Sequence, residues 1–288
     1  MQRSSCTRSA QSGNPASEER AMLRSLKDLE RYDVSASDGD IGTVVDFLFD
    51  DDRWVVRYLV ADTDGFFDSR RVLITPISFQ QADWGSRRFH VALTREKVKN
   101  SPGIDVDRPV SRQHERDYYG YYGYPSYWGY PGAWGLGTYP SLLADPGWNI
   151  PGSNQLAEAP ADTHLRSASE VRGYHIQGTD DTIGHVEDFI VDDETWHLRY
   201  LVVDTSNWWF GKKVLVAPHW ADSISWADRL VRLDLSRKAI KDSPEWNPTA
   251  GVNRKYEVEL FDYYGRPTYW ESPAATHTPA PIPRSVRA

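Results

Sequence analysis

The sequence predicts a mainly β protein made of two copies of one small antiparallel domain, each followed by short helices. Three observations carry this. Residues 23–128 return at residues 165–270 with a constant offset of 142. Each copy holds β-branched and aromatic runs separated by acidic turn residues, the pattern of a hairpin. Each copy then shows helix signatures bounded by capping residues, glycine and proline. A period this long exceeds the roughly 20–50 residues of solenoid units, so a whole domain is repeated.

The correspondence begins with Leu23-Arg24-Ser25, which returns as Leu165-Arg166-Ser167. It continues through Ile41-Gly42 and Ile183-Gly184, Asp46-Phe47 and Asp188-Phe189, and Arg57-Tyr58-Leu59-Val60 and Arg199-Tyr200-Leu201-Val202. Within copy one, Ile41 to Phe49 and Trp54 to Asp62 read as a hairpin with Asp51 and Asp52 at its tip. That turn sets Asp46 opposite Arg57, and the second copy then sets Asp188 opposite Arg199. These four residues are expected as structural ion pairs, since opposite charges facing across two strands contribute roughly 0.2–1 kcal/mol and help to fix register.

Trp54, Val56, Tyr58 and Val60 lie on one strand face and are repeated as Trp196, Leu198, Tyr200 and Val202. Val44, Leu48, Leu59 and Ala61 line the other, so both faces need cover. Arg71 to Thr75 and Lys213 to Ala217 read as a further strand that stops at Pro76 or Pro218, because proline cannot donate to a central ladder. Arg88 to Leu93 and Leu230 to Leu235 read as a last strand. Thr94 and Ser236 follow as N-caps of a short helix. A longer helix runs from Ser111 or Asn253 to Gly123 or Gly265, with Tyr118, Tyr119 and Tyr122 on one stripe.

The ordered set of elements resembles the PRC-barrel family, whose name comes from a subunit of the photosynthetic reaction centre. It is carried by Leu23-Arg24-Ser25, the Ile41-Gly42 step into Asp46-Phe47, the Trp54 to Val60 strand, Val72-Leu73 with Pro76, and Leu93-Thr94 to Ser101-Pro102. The resemblance implies two small antiparallel β-barrels in tandem, and the duplication predicts that they pack through the second apolar strand face as an internal pseudo-twofold dimer. Together with composition it gives a division into a disordered N-terminus (1–21), a first barrel (22–103), a helix with an aromatic, Gly/Pro-rich linker (104–163), a second barrel (164–245), a helical extension (246–271) and a disordered Pro-rich tail (272–288). Met22, directly before the first copy, is a candidate start.

A formal net charge of −8 argues against a nucleic-acid backbone as partner, since such binders display clustered basic surface. With one cysteine, Cys6, no disulfide within the chain is possible. No apolar run reaches the length of a membrane span. These features give a cytoplasmic protein, at most peripheral to the inner membrane. No phosphate loop, dinucleotide fingerprint or nucleophile elbow occurs. The aspartates at 50–52 lack the alternating ligands of a calcium loop.

The expectation is therefore a non-enzymatic scaffold or adaptor with no cofactor and no metal, binding a protein or a peripheral membrane complex. Its candidate contact residues are the loop aromatics Phe66, Phe67, Trp208 and Trp209, and the extension aromatics Tyr127, Trp128, Tyr269 and Trp270. The resemblance also offers two narrower roles, in photosynthetic reaction-centre assembly or electron-transfer regulation and in ribosome maturation. An enzyme using acids such as Asp62 and Asp204 is the alternative of a different class.

Overall fold

The structure, a computed structural model, describes residues 22–63, 70–103, 110–144, 165–205 and 211–270. The N-terminal stretch 1–21, residues 104–109 and 145–163 of the linker, the tail from 271 and the loop aromatics Phe66, Phe67, Trp208 and Trp209 lie outside the described residues. Copy one contributes strands β1 (Leu23–Ser25), β2 (Asp33–Ala36), β3 (Gly39–Asp50), β4 (Val55–Asp62), β5 (Arg71–Ile74), β6 (Phe79–Asp83) and β7 (Arg88–Val91). Copy two contributes β8 (Leu165–Ser167), β9 (His175–Gln177), β10 (Thr182–Asp192), β11 (Leu198–Asp204), β12 (Lys213–Val216), β13 (Ala221–Ser225) and β14 (Leu230–Leu233). The helices are α1 (Leu26–Leu29), α2 (Arg95–Lys99), α3 (Arg112–Tyr122), α4 (Ala168–Val171), α5 (Arg237–Asp242) and α6 (Arg254–Tyr264).

Two seven-stranded sheets result, with strand orders β5-β4-β3-β2-β7-β6 and β12-β11-β10-β9-β14-β13. Each is antiparallel except at one parallel pairing, β2 with β7 and β9 with β14. The turn Pro76–Ser78 or Pro218–Trp220 carries the chain from one end of the path to the other. The Ile-Gly step of both copies has a steric cause. A Cβ on Gly42 would sit 1.9 Å from the carbonyl oxygen of Asp62, and one on Gly184 2.0 Å from that of Asp204.

The seventh strand of each sheet comes from the other copy. β1 pairs with β10, setting Leu23 opposite Asp192 and Ser25 opposite Ile190, while β8 pairs with β3, setting Leu165 opposite Asp50 and Ser167 opposite Leu48. The copies thus exchange their first strands reciprocally, and the shared face alone does not join them. At the centre Val55 bridges to its own counterpart, His197. The amide of Val56 donates to the Trp196 carbonyl and that of Leu198 to the Trp54 carbonyl, at 2.8 and 2.7 Å. Equivalent residues meet only on a twofold axis, so this is a pseudo-dimer within one chain. Phe47, Phe49, Phe189 and Trp196 fill its apolar centre, with Phe49 and Phe189 centroids 5.4 Å apart.

The hairpin register differs from the one the sequence suggests. Asp46 stands opposite Val60, Phe47 opposite Leu59 and Leu48 opposite Tyr58, with irregularities after Val44 and after Leu48. The turn is longer than a two-residue tip: the Trp54 amide donates to the Asp50 carbonyl at 2.7 Å, and Trp54 takes φ 57°. Trp196 does the same at φ 62°. The longer turn shifts the register by two residues and the bulge after Leu48 by one more, which breaks the expected Asp46–Arg57 pair, and the second copy breaks Asp188–Arg199 in the same way.

The capping signals are local and form as written. Ser111 accepts from the His114 amide and Asn253 from the Tyr256 amide, and Gly123 and Gly265 close their helices at φ 75° and 61°.

Candidate interaction site

The acids of the hairpins have two separate uses. Asp46 and Asp188 clasp the exchanged segments. Asp46 accepts from the Ser167 hydroxyl at 2.6 Å and the Ser169 amide at 3.0 Å, and Asp188 from the Ser25 hydroxyl and the Lys27 amide. Burial raises the pKa of Asp188 to about 6 against these bonds. Arg24 with Asp193 and Arg166 with Asp51, both at 2.7 Å, add a matched pair of salt bridges between the copies. Burial also raises the pKa of Asp51 to about 6. The carboxylates of Asp50, Asp51 and Asp52 lie close enough together to share a cation, but Asp50 and Asp51 are already held by arginines.

The arginines of the hairpins reach Asp50 and Asp192. Arg57 and Arg199 each meet that carboxylate at 2.8 Å. In copy one Arg57 lies under the ring of Tyr127 at 3.7 Å. The Tyr127 and Tyr58 hydroxyls both donate to Glu115, at 2.7 and 3.1 Å, and Arg112 holds the other oxygen of Glu115 at 2.7 Å. Copy two repeats every member: Arg199 lies 4.3 Å from Tyr269, Tyr200 and Tyr269 donate to Glu257 at 2.7 and 2.9 Å, and Arg254 pairs with Glu257.

Burial shapes the charges of this cluster. It pushes the Glu115 carboxyl up, against the pull of Arg112 and the two phenols. It disfavours the Arg57 guanidinium too, but the Asp50 carboxylate outweighs it and leaves the pKa above its ordinary value. The carboxylates of this cluster stay buried because arginines and phenols meet them, and removing one partner of a buried pair costs about 3–5 kcal/mol. The neighbouring His197 is driven to about 3, chiefly by burial and then by Arg199, so it is neutral.

The two clusters are finished differently. Beyond α3 the aromatic linker folds back as a strap over copy one. Arg53 donates to the carbonyls of Tyr130 and Gly132, and Arg57 to that of Ala133 at 2.5 Å. Trp134 is wholly buried, and its indole N–H donates to the Thr195 carbonyl of copy two at 2.9 Å. Gly132 permits the tight fold, since a Cβ there would lie 2.7 Å from the carbonyl oxygens of Gly135 and Gly137. The result is a sealed cluster: the Arg57 side chain is 0% exposed and that of Arg112 7%. In copy two the same arginines, Arg199 and Arg254, are 19% and 54% exposed.

Residues 23–98 and 164–231 each match the PRC-barrel domain, and together they account for half of the chain. The chain belongs to the PRC-barrel family. PRC-barrel domains serve as protein-interaction modules, which gives the molecule its general character. No curated protein matches the chain.

Of the expected contact residues, Tyr127 and Trp128 face inwards, at 1% and 7% exposure, and belong to the sealed cluster. The reason is their packing against α3 and β4: Tyr127 lies between Arg57 and Glu115, and both rings meet Tyr119 and Arg112. Tyr269 and Trp270 are half-buried. Asp204 stands opposite Lys213 and Asp62 opposite Arg71 at strand ends. His185 faces His175 and Asp204 across its strand, away from the His197 bridge.

Sequence reasoning weighed Asp50 only as a cation ligand and passed over Glu115, Arg112 and their counterparts. The signal was available, because Asp50/Asp192, Arg112/Arg254 and Glu115/Glu257 are identical at the repeat offset. Among the described residues, no helix is long and apolar enough to cross a membrane.

Proposed function

We propose that the protein is a binding scaffold, an adaptor or assembly factor that engages another protein through the open aromatic and arginine face of its second copy. One observation carries this reading: a cluster of identical chemistry is closed over in copy one and left half-exposed in copy two, with Tyr269, Trp270 and Arg254 at the surface. Aromatic and arginine side chains of this kind dominate the binding energy of protein interfaces. Glu257 already fixes Tyr269 and Arg254, and Trp270 lies under the Arg254 guanidinium, so little ordering remains to oppose binding. The rest of the cluster's acids and bases are tied to one another, which supports a structural use.

Affinity capture from the native cells, comparing the wild-type chain with Tyr269→Ala/Trp270→Ala, tests it. A partner retained by the wild type and lost by a variant with the same melting behaviour supports the scaffold and locates its surface. Equal retention by both proteins removes this face from the function.

A further inference from the structure

The strap of copy one shows what ligand chemistry this cradle takes. Arg57 is held on three sides: Asp50 on Nε and Nη2, the Ala133 carbonyl on Nη1, and aromatic rings over its plane, with Tyr127 at 3.7 Å and Trp134 at 4.8 Å. Arg199 reproduces only part of this. Asp192 takes Nε and Nη2, the Thr195 hydroxyl lies 3.3 Å from Nη2, and Tyr269 covers the plane at 4.3 Å. Its Nη1 has no hydrogen-bond partner among the described residues, and no second ring covers it there. Counting 142 residues on from Trp134 gives Thr276, and residues 271–279 contain no Tyr, Trp or Phe, so the second copy encodes no equivalent strap.

We infer that the second copy's cradle is a docking site for a Gly/Pro-rich turn of a partner protein bearing one tryptophan. The turn binds as residues 129–137 bind copy one. A backbone carbonyl of the partner accepts from Arg199 Nη1, and its indole lies over the guanidinium beside Tyr269. The Arg53 carbonyl is the counterpart of the Thr195 carbonyl that receives the Trp134 indole N–H. The inference rests on the scaffold reading and specifies its partner. Its support is the pseudo-twofold relation itself: the counterparts of Arg199, Asp192 and Tyr269, shaped by the same fold, meet such a segment 142 positions earlier, and only Arg53, which donates to the Tyr130 and Gly132 carbonyls there, is replaced, by Thr195.

The probe is a synthetic peptide of residues 129–137, added to the full chain and followed by calorimetry and by amide chemical shifts. The tethered strap of copy one has an effective concentration in the millimolar range, so free peptide held well below about 1 mM leaves it in place. The expected result is saturable one-to-one binding with shifts centred on Arg199, Tyr269 and Trp270. It should weaken at least about tenfold for a peptide carrying Trp134→Ala, and similarly for the protein variant Arg199→Lys, which keeps the charge beside Asp192.

The peptide variant needs no change in the protein, so misfolding of Arg199→Lys cannot obscure the outcome. No saturable binding, or equal affinity for the two peptides, overturns the inference. Binding that appears only after residues 271–288 are removed also overturns it, assigning the cradle to the chain's own tail. A negative peptide result beside partner capture that still depends on Tyr269 and Trp270 removes this ligand chemistry and leaves the scaffold reading standing.

Discussion

Asp188 is one carboxylate on which the exchange of strands depends, holding both the Ser25 hydroxyl and the Lys27 amide of the other copy. Burial lifts its pKa from 3.8 to about 6. Between these values the folded chain keeps a proton that the unfolded chain has lost, so this group's contribution to stability falls as pH rises from about 4 to about 6 and is level above. Asp188→Asn should therefore lose stability relative to the wild type at pH 4 and gain about 2–3 kcal/mol on it by pH 7. Asp51 shifts in the same direction but is present in both proteins and cancels. Urea denaturation across this range checks it, and a gap between the two proteins that does not change with pH contradicts it.

At the scale of elements, the strap turns a half-exposed cluster into a sealed one. Trp134 is its anchor, and Trp134→Ala should cost about 3–5 kcal/mol, as truncating a fully buried aromatic does. Trp270→Ala, in the unsealed cluster, should cost only about 1–2 kcal/mol because the ring is partly exposed and its loss opens no enclosed cavity. Denaturation midpoints of the two variants compare them directly.

Elements governed by neighbours in sequence were legible. The caps Ser111, Asn253, Gly123 and Gly265 act within a few residues, and all form as the sequence suggests. The hairpin register was not, because it turns on bulges and on the left-handed conformations of Trp54 and Trp196, which tryptophan rarely adopts. The cluster under α3 was half legible. The helix tyrosines Tyr118, Tyr119 and Tyr122 showed as a stripe, while Glu115 and Arg112 gave no local signal, because their partners Tyr58 and Tyr127 come from a strand and from beyond the helix.

For the whole molecule, the decisive property is that the two copies are one body. Leu-Arg-Ser opens both copies, so either strand suits either sheet edge chemically, and nothing in the sequence says which copy it joins. Duplication has also allowed the copies to differ where they meet. Glu30 and Arg172 are equivalent positions, and they form a salt bridge with each other near the axis. Two identical copies would place like charges there. Glu30→Arg should therefore destabilise the fold, and the exchange Glu30→Arg/Arg172→Glu should recover most of the loss. The coupling expected of a contacting pair is about 0.5–2 kcal/mol, measurable in a double-mutant cycle. Additive effects would place the pair outside the interface.

The reciprocal exchange of first strands is the claim on which the pseudo-dimer and its two unequal cradles rest. Amide-to-amide nuclear Overhauser contacts of β1, measured in a sample shown by ultracentrifugation to be monomeric, test it most directly. The structure predicts contacts from Arg24 to the strand around Val191, and from Arg166 to the strand around Phe49. Contacts from Arg24 to Phe49 and from Arg166 to Val191 would show each copy keeping its own first strand, and would contradict the account.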